Sequence, residues 1–268
     1  MERTSTHLTI PDVALRDELS SSADFMSIWP RNVPPGVFTI RGLFGACHLL
    51  VDPRGEAVLI DTGLIGEPAR IERLLRRLKL RRDAVKAILL THGHLDHMGN
   101  LRWAKNWTGA PIYAHPLEQA HIDGVYPYRG AAIWCGRLER AGRRWLRIGA
   151  PAKIDVPVSD GDELPWWGGL RVVHLPGHTL GHCGFYSGRH DVLFSGDLFA
   201  SYFLRGAVVP PAIFNAAPQL IPASLEKARC LNARWLIPQH YDVLDGQLHR
   251  ERFDALLNRR RKRRGPVV

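Results

Sequence analysis

Thr91-His92-Gly93-His94-Leu95-Asp96-His97 follows directly on the apolar run Ala87-Ile88-Leu89-Leu90. The run is short, wholly apolar and closed by polar residues, which reads as a buried strand. Four candidate metal ligands, His92, His94, Asp96 and His97, therefore stand where a strand ends and a helix begins. Open α/β sheets carry their sites at such strand ends. His92 and His94 are two apart in extended chain, so their side chains leave on one face and a single cation can take both imidazoles. Asp96 and His97 lie at the turn into the helix and can point toward a second cation. Gly93 and Gly99 leave room for a tight turn. A histidine-rich capping turn, with Asp96 or Asn100 as the cap, would explain this stretch alone. It would not explain the residues that recur downstream.

On either side, short apolar runs alternate with helical spacing. Residues 37–40, 46–51 and 57–60 read as strands, with Pro53-Arg54-Gly55 as a turn between the last two. Residues 67–80 carry Ile71, Leu74, Leu75 and Leu78 at helical spacing with arginines opposite. A helix over 101–107, a strand over 111–114 and a helix over 116–122 follow. The second half gives a strand over 170–175, a hairpin of 184–187 and 192–194, a helix over 222–231, a strand over 235–237 and a closing helix over 248–263. Here too, single polar residues sit just past strand ends: His178, Asp197 and His240. His115 and His121 lie on ordinary elements and read as packed or surface histidines, and His182 reads as a non-ligand near the site. The pattern as a whole is α/β with mixed sheets.

His92-Gly93-His94-Leu95-Asp96-His97 resembles the His-x-His-x-Asp-His signature of the metallo-β-lactamase superfamily. Asp61-Thr62-Gly63, Pro176-Gly177-His178-Thr179, Ser195-Gly196-Asp197 and Pro238-Gln239-His240 match further pieces in the same order. The resemblance runs from about Val37 to Tyr241. It implies a four-layer αββα sandwich with two mixed sheets. It also implies two divalent cations, zinc first, with iron or manganese as alternatives. His92, His94 and His178 would hold one, Asp96, His97 and His240 the other, with Asp197 bridging. Asp61 would orient ligand histidines rather than bind. Two such cations can share a hydroxide able to attack a carbonyl or a phosphorus. Asp96 would be the catalytic residue, orienting the nucleophile and passing a proton to the leaving group.

The chain has 268 residues, 45% of them hydrophobic, which suits one domain over 1–268 with an ample core. No run of 18 apolar residues occurs, so no membrane span is expected. Residues 1–34 read as an N-terminal arm that Phe25 and Trp29 would anchor, with no basic-then-apolar signal. The four cysteines are scattered, which fits a reducing cytoplasm, and Cys183 reads as a small buried hydrophobe. Residues 124–153 break the pattern and read as a helical insertion near the site, with Leu138, Ala141, Trp145 and Ile148 facing the domain. The formal charge of +10 gathers there, at Arg137, Arg140, Arg143, Arg144 and Arg147, and in a basic helix and tail over 248–268. Residues 198–221 read as a long irregular stretch bordering the cleft.

Within the resembled family, His94 in the second ligand position counts against the di-iron flavoprotein branch. The chain past His240 is short for a glyoxalase II, no signal favours a periplasmic β-lactamase, and no extra nuclease motif is found. A metal-dependent hydrolase of a small ester, lactone or thioester remains, glyoxalase II-like or lactonase-like. The alternatives are a phosphodiesterase or nuclease, a mononuclear-iron enzyme resembling persulfide dioxygenases, and a non-catalytic nucleic-acid-binding scaffold using the basic tail. The expected partner is a small-molecule substrate; nucleic acid and a homodimer contact through the insertion stay open.

Overall fold

The computed structural model describes residues 32–126, 128–146, 148, 152–202 and 204–264, without the side chains of 263 and 264. The expected N-terminal arm, with Phe25 and Trp29, lies outside the described residues except for 32–34, and so does Arg147.

Two sheets face each other. The first runs β1 (Val37–Arg41), β2 (Ala46–Val51), β3 (Ala57–Ile60), β4 (Val85–Leu89), β5 (Ile112–Ala114), β6 (Val156–Pro157), in that order. Its first two pairings are antiparallel and the rest parallel. The second joins β7 (Glu163–Leu164), β8 (Leu170–His174), β9 (Cys183–Ser187), β10 (Val192–Gly196) and, parallel to β10, β13 (Trp235–Pro238). Helices α1 (Glu67–Arg77) and α3 (Leu101–Thr108) cover the first sheet, and α6 (Ile221–Cys230) and α7 (Gly246–Arg264) the second. Between helix α2 (Leu95–Met98) and those last two come α4 (Gln119–Ile122) and α5 (Ile133–Trp145). The expected four-layer αββα order is the one observed.

The layering follows from alternation. In β3, Ala57 and Leu59 enter the core under α1, while Val58 and Ile60 enter the core between the sheets. Both faces are buried, which is why the strand reads as an unbroken apolar run. Phe185 and Phe194 fill the intersheet core from β9 and β10, each contributing about 2–3 kcal/mol by leaving water. Val173, Leu193, Leu236, Phe253 and Leu257 fill a third core beneath α6 and α7. All four cysteines are free thiols, and Cys183 is fully buried between the sheets. No helix among the described residues is long and apolar enough to cross a membrane.

Two expectations are corrected. Residues 198–221 are not wholly irregular: β11 (Ala200–Tyr202) and β12 (Gly206–Val208) pair as a two-stranded ribbon, too short to leave a period in the sequence. Helix α5 does lie on the domain, but through Cys135, Gly136 and Glu139. Leu138 and Trp145 point outward, 61% and 80% exposed, because the inner face packs through Cys135 and Gly136 on Tyr126 and Tyr128 beside the site.

Candidate metal centre

Each of the seven expected ligands stands just beyond a strand's C-terminal end. His92 and His94 follow β4, and Asp96 and His97 open α2. His178 follows β8, Asp197 follows β10 and His240 follows β13. The structure brings all seven into one cluster at the edge where the two sheets meet. His92 Nε2 and His94 Nδ1 approach to 3.1 Å. Asp197 stands in the middle, its Oδ2 3.4 Å from His178 Nε2 and 3.1 Å from His240 Nε2, its Oδ1 3.5 Å from His97 Nε2. Asp96 Oδ2 lies 3.3 Å from His240 Nε2 and 3.6 Å from His97 Nε2.

The opposite nitrogens are held from behind. His92 Nδ1 meets the Thr91 hydroxyl at 3.1 Å, and that hydroxyl donates to Asp61 Oδ2. His94 Nε2 meets the Tyr128 hydroxyl at 2.6 Å. His97 Nδ1 donates to Asp61 Oδ2 at 2.9 Å, and His178 Nδ1 to Asn215 Oδ1 at 3.1 Å. Outer partners of this kind fix the tautomer and aim the other nitrogen. Asp61 accepts from Thr91, His97 and Gln239. His182 stays outside the cluster but holds it: Nδ1 donates to Leu175 O and Nε2 accepts the Asp197 N–H at 2.9 Å. His115 stacks on His174, and His121 pairs with Glu118 behind His94.

Sequence reasoning missed Tyr128, Asn215, Glu118 and Glu139. Glu118 is fully buried and accepts from Gly93 N–H, Thr179 Oγ1 and Gly181 N–H, tying the loop of His94 to that of His178. A Cβ on Gly93 would stand 2.4 Å from that of His121, so the first loop has no room for a side chain there. Glu139 accepts the Leu95 N–H at the start of α2. Burial, then Asp96, raises its carboxyl to about 8.

The cluster fits divalent cations. Tetrahedral ligands about 2.1 Å from zinc stand about 3.4 Å apart, close to the separations observed. His97 Nε2, His178 Nε2 and Asp197 Oδ1 are buried without a hydrogen-bond partner, a cost of about 1–3 kcal/mol each that a cation would remove. Imidazoles with carboxylates suit zinc, iron or manganese. The charges divide in two. Burial, with neighbouring imidazoles, holds His92 and His94 well below the ordinary value, and burial lowers His178. Burial also opposes charge on His97, yet Asp197, Asp96 and Asp61 outweigh it and raise it to about 9. Asp197 and Asp96 likewise raise His240.

The cluster opens onto a cavity of about 530 Å³. Val208, Val209, Pro210, Pro211 and Phe214 form an apolar wall, with Tyr202, Arg205 and Glu139 also lining it.

The sequence model of the metallo-beta-lactamase superfamily matches residues 40–240. An uncharacterized protein of Aquifex aeolicus is 33% identical over 57% of this chain and 64% of its own length. The hydroxyacylglutathione hydrolase GloC of Haemophilus influenzae is 30% identical over 57% and 65%. Both matches span less than two thirds of the relative. Among solved structures, the metallo-beta-lactamase family protein TTHA1429 from Thermus thermophilus superposes with a TM-score of 0.66 at 26% identity, covering 86% of this chain and 81% of its own. TTHA1623, solved in a di-iron-bound form, gives 0.58 at 30%, covering 80% and 92%.

Proposed function

This chain belongs to the metallo-beta-lactamase superfamily, and from that premise we propose that it is a metal-dependent hydrolase of a carbonyl substrate, a thioester first and an ester or lactone next. A relative named for hydrolysing hydroxyacylglutathione supports the thioester. His92, His94 and His178 would hold one divalent cation and Asp96, His97 and His240 a second, with Asp197 available to both. Zinc is the first expectation, and the di-iron-bound neighbour supports iron as the next. Bound cations lower the pKa of water toward about 7 and polarise a carbonyl.

The chain's own residues supply the rest. Asp96 lines the cavity, where its carboxylate takes the proton lost by water and returns it to the leaving group. Thr91, Tyr128, Asp61 and Asn215 hold the imidazoles in their tautomers and so fix where the substrate carbonyl lies. The wall from Val208 to Phe214 covers the acyl group and excludes water. Arg205 offers a guanidinium to an anionic leaving group.

The observation carrying this reading is the inward convergence of imidazole nitrogens whose outer nitrogens are each held by a different group. The test is hydrolysis by protein loaded separately with zinc, iron and manganese. The panel is a glutathione thioester, an acyl-homoserine lactone, a β-lactam and a phosphodiester. A carbonyl substrate should be preferred, and Asp197→Ala should lose both metal equivalents together with activity. Cleavage of the phosphodiester alone would overturn the carbonyl assignment, and full activity in Asp197→Ala would overturn the paired-cation site.

A further inference from the structure

Helix α5 turns one face to the metal centre and divides the other into two rows. Trp134, Leu138, Ala141 and Trp145 recur at spacings of four, three and four, which places them along one line of the helix. Trp134 is 59% exposed, Leu138 61% and Trp145 80%. Beside them run Arg137, Arg140 and Arg144, all exposed. The helix's single acid, Glu139, is buried on the other face. None of the three arginines pairs with a carboxylate among the described residues. Arg137 and Arg140 instead lie over the rings of Trp134 and Tyr126, at 4.7 and 5.6 Å.

Large apolar side chains clustered in water mark a surface that something covers. A second copy packed antiparallel along the tryptophan row is a poor cover, because that two-fold contact sets the two arginine rows beside each other. An anionic bilayer suits both rows at once. Tryptophan rings rest at headgroup depth, and arginines beside them pair with lipid phosphates while their stems run along apolar surface. We propose that α5 seats the protein on an anionic bilayer surface, with Trp134, Leu138 and Trp145 entering the interface and Arg137, Arg140 and Arg144 paired with headgroups.

The test is co-sedimentation of the full chain with vesicles of phosphatidylcholine alone and of equal parts phosphatidylcholine and phosphatidylglycerol. Binding should be confined to the mixed vesicles, weaken as salt is raised, and shift tryptophan emission to the blue. Arg140→Gln and Arg144→Gln should each weaken partitioning about fivefold. Trp134→Ala with Trp145→Ala should weaken it about tenfold or more. These side chains are exposed, so circular dichroism and metal content should stay as in the parent. Equal binding to both vesicles, or to neither, overturns the proposal. So does capture by polyglutamate without vesicle binding, which would name an acidic protein instead. A parent dimer that Trp134→Ala dissociates would assign the face to a second copy and overturn it as well.

Discussion

Replacing Asp61 by asparagine should loosen the metal centre and the fold together. Asp61 is fully buried at the end of β3, with φ +59°. Asparagine tolerates that left-handed backbone as aspartate does, so the change isolates the carboxylate. Oδ2 accepts from Thr91 Oγ1 at 2.8 Å, His97 Nδ1 at 2.9 Å and Gln239 Nε2 at 3.0 Å, and Oδ1 accepts the Thr91 N–H at 2.8 Å. An amide orients with its oxygen toward the three donors and its NH2 toward the Thr91 N–H. The first three bonds lose their charge assistance, about 1 kcal/mol each, and two buried donors, the Thr91 N–H and the amide's own NH2, are left unpaired at about 1 kcal/mol or more each. The sum is about 5 kcal/mol, which should lower the Tm of the metal-free protein by about 10 °C or more. His97 Nδ1 then donates to a neutral amide oxygen in place of a carboxylate, which makes the ring a weaker ligand, so affinity for the second cation should fall about 10- to 100-fold. Scanning calorimetry of metal-free protein and competition with a chromophoric zinc chelator measure the two effects. An Asp61→Asn protein with the parent's Tm and both zinc affinities would refute the idea that this carboxylate ties the cluster together.

Tyr128→Phe removes the hydroxyl facing His94 Nε2 while keeping the ring packed. Chelator competition should show about a tenfold or greater loss of affinity at the first cation, and an unchanged constant would release Tyr128 from that role. The metal-free protein should also be acid-labile. Burial holds His48 to about 3, and His182 and His249 to about 4, against an ordinary value of 6.5. Below pH 6.5 the unfolded chain binds protons that the folded chain refuses, so stability falls as pH drops from 6.5 toward 4. Each histidine costs about 2 kcal/mol at pH 5. Urea midpoints at pH 7 and pH 5 measure the slope, and a His48→Asn protein with an unaltered slope would remove His48 from the account.

The cluster was legible because its side chains are marked locally in the sequence. His92, His94, Asp96 and His97 share one turn, and His178, Asp197 and His240 each sit just past an apolar strand, so residue type and strand end coincide. The partners that aim them were not legible. Tyr128 lies 34 residues from His94, and Asn215 37 from His178, in segments without regular period. The only signal was the aromatic density of the segment that carries Tyr126 and Tyr128. Helix α5 was legible as a helix but read inside out. The amphipathic rule turns the apolar row inward. Here Cys135, Gly136 and Glu139 take the inner face because a small surface and a carboxylate are needed beside His94 and Leu95. The strands β6, β7, β11 and β12 are two or three residues long, too short for alternation to register.

The two sheets press together through apolar side chains, and such contacts set their spacing without fixing how one slides on the other. Directional bonds between them gather at the edge that holds the cluster. Cys183 of β9 donates its N–H to Thr91 O beyond β4, and Ala46 of β2 donates to Gln239 O beyond β13. Those two amides exchange with deuterium when the sheets part at this edge, so their protection reports on that contact. Slowly exchanging protons are therefore expected beside the chemistry of this protein, where the β11–β12 ribbon is itself tied to the same edge by Ser201, whose N–H donates to His240 O and whose carbonyl accepts from Asp242 N–H.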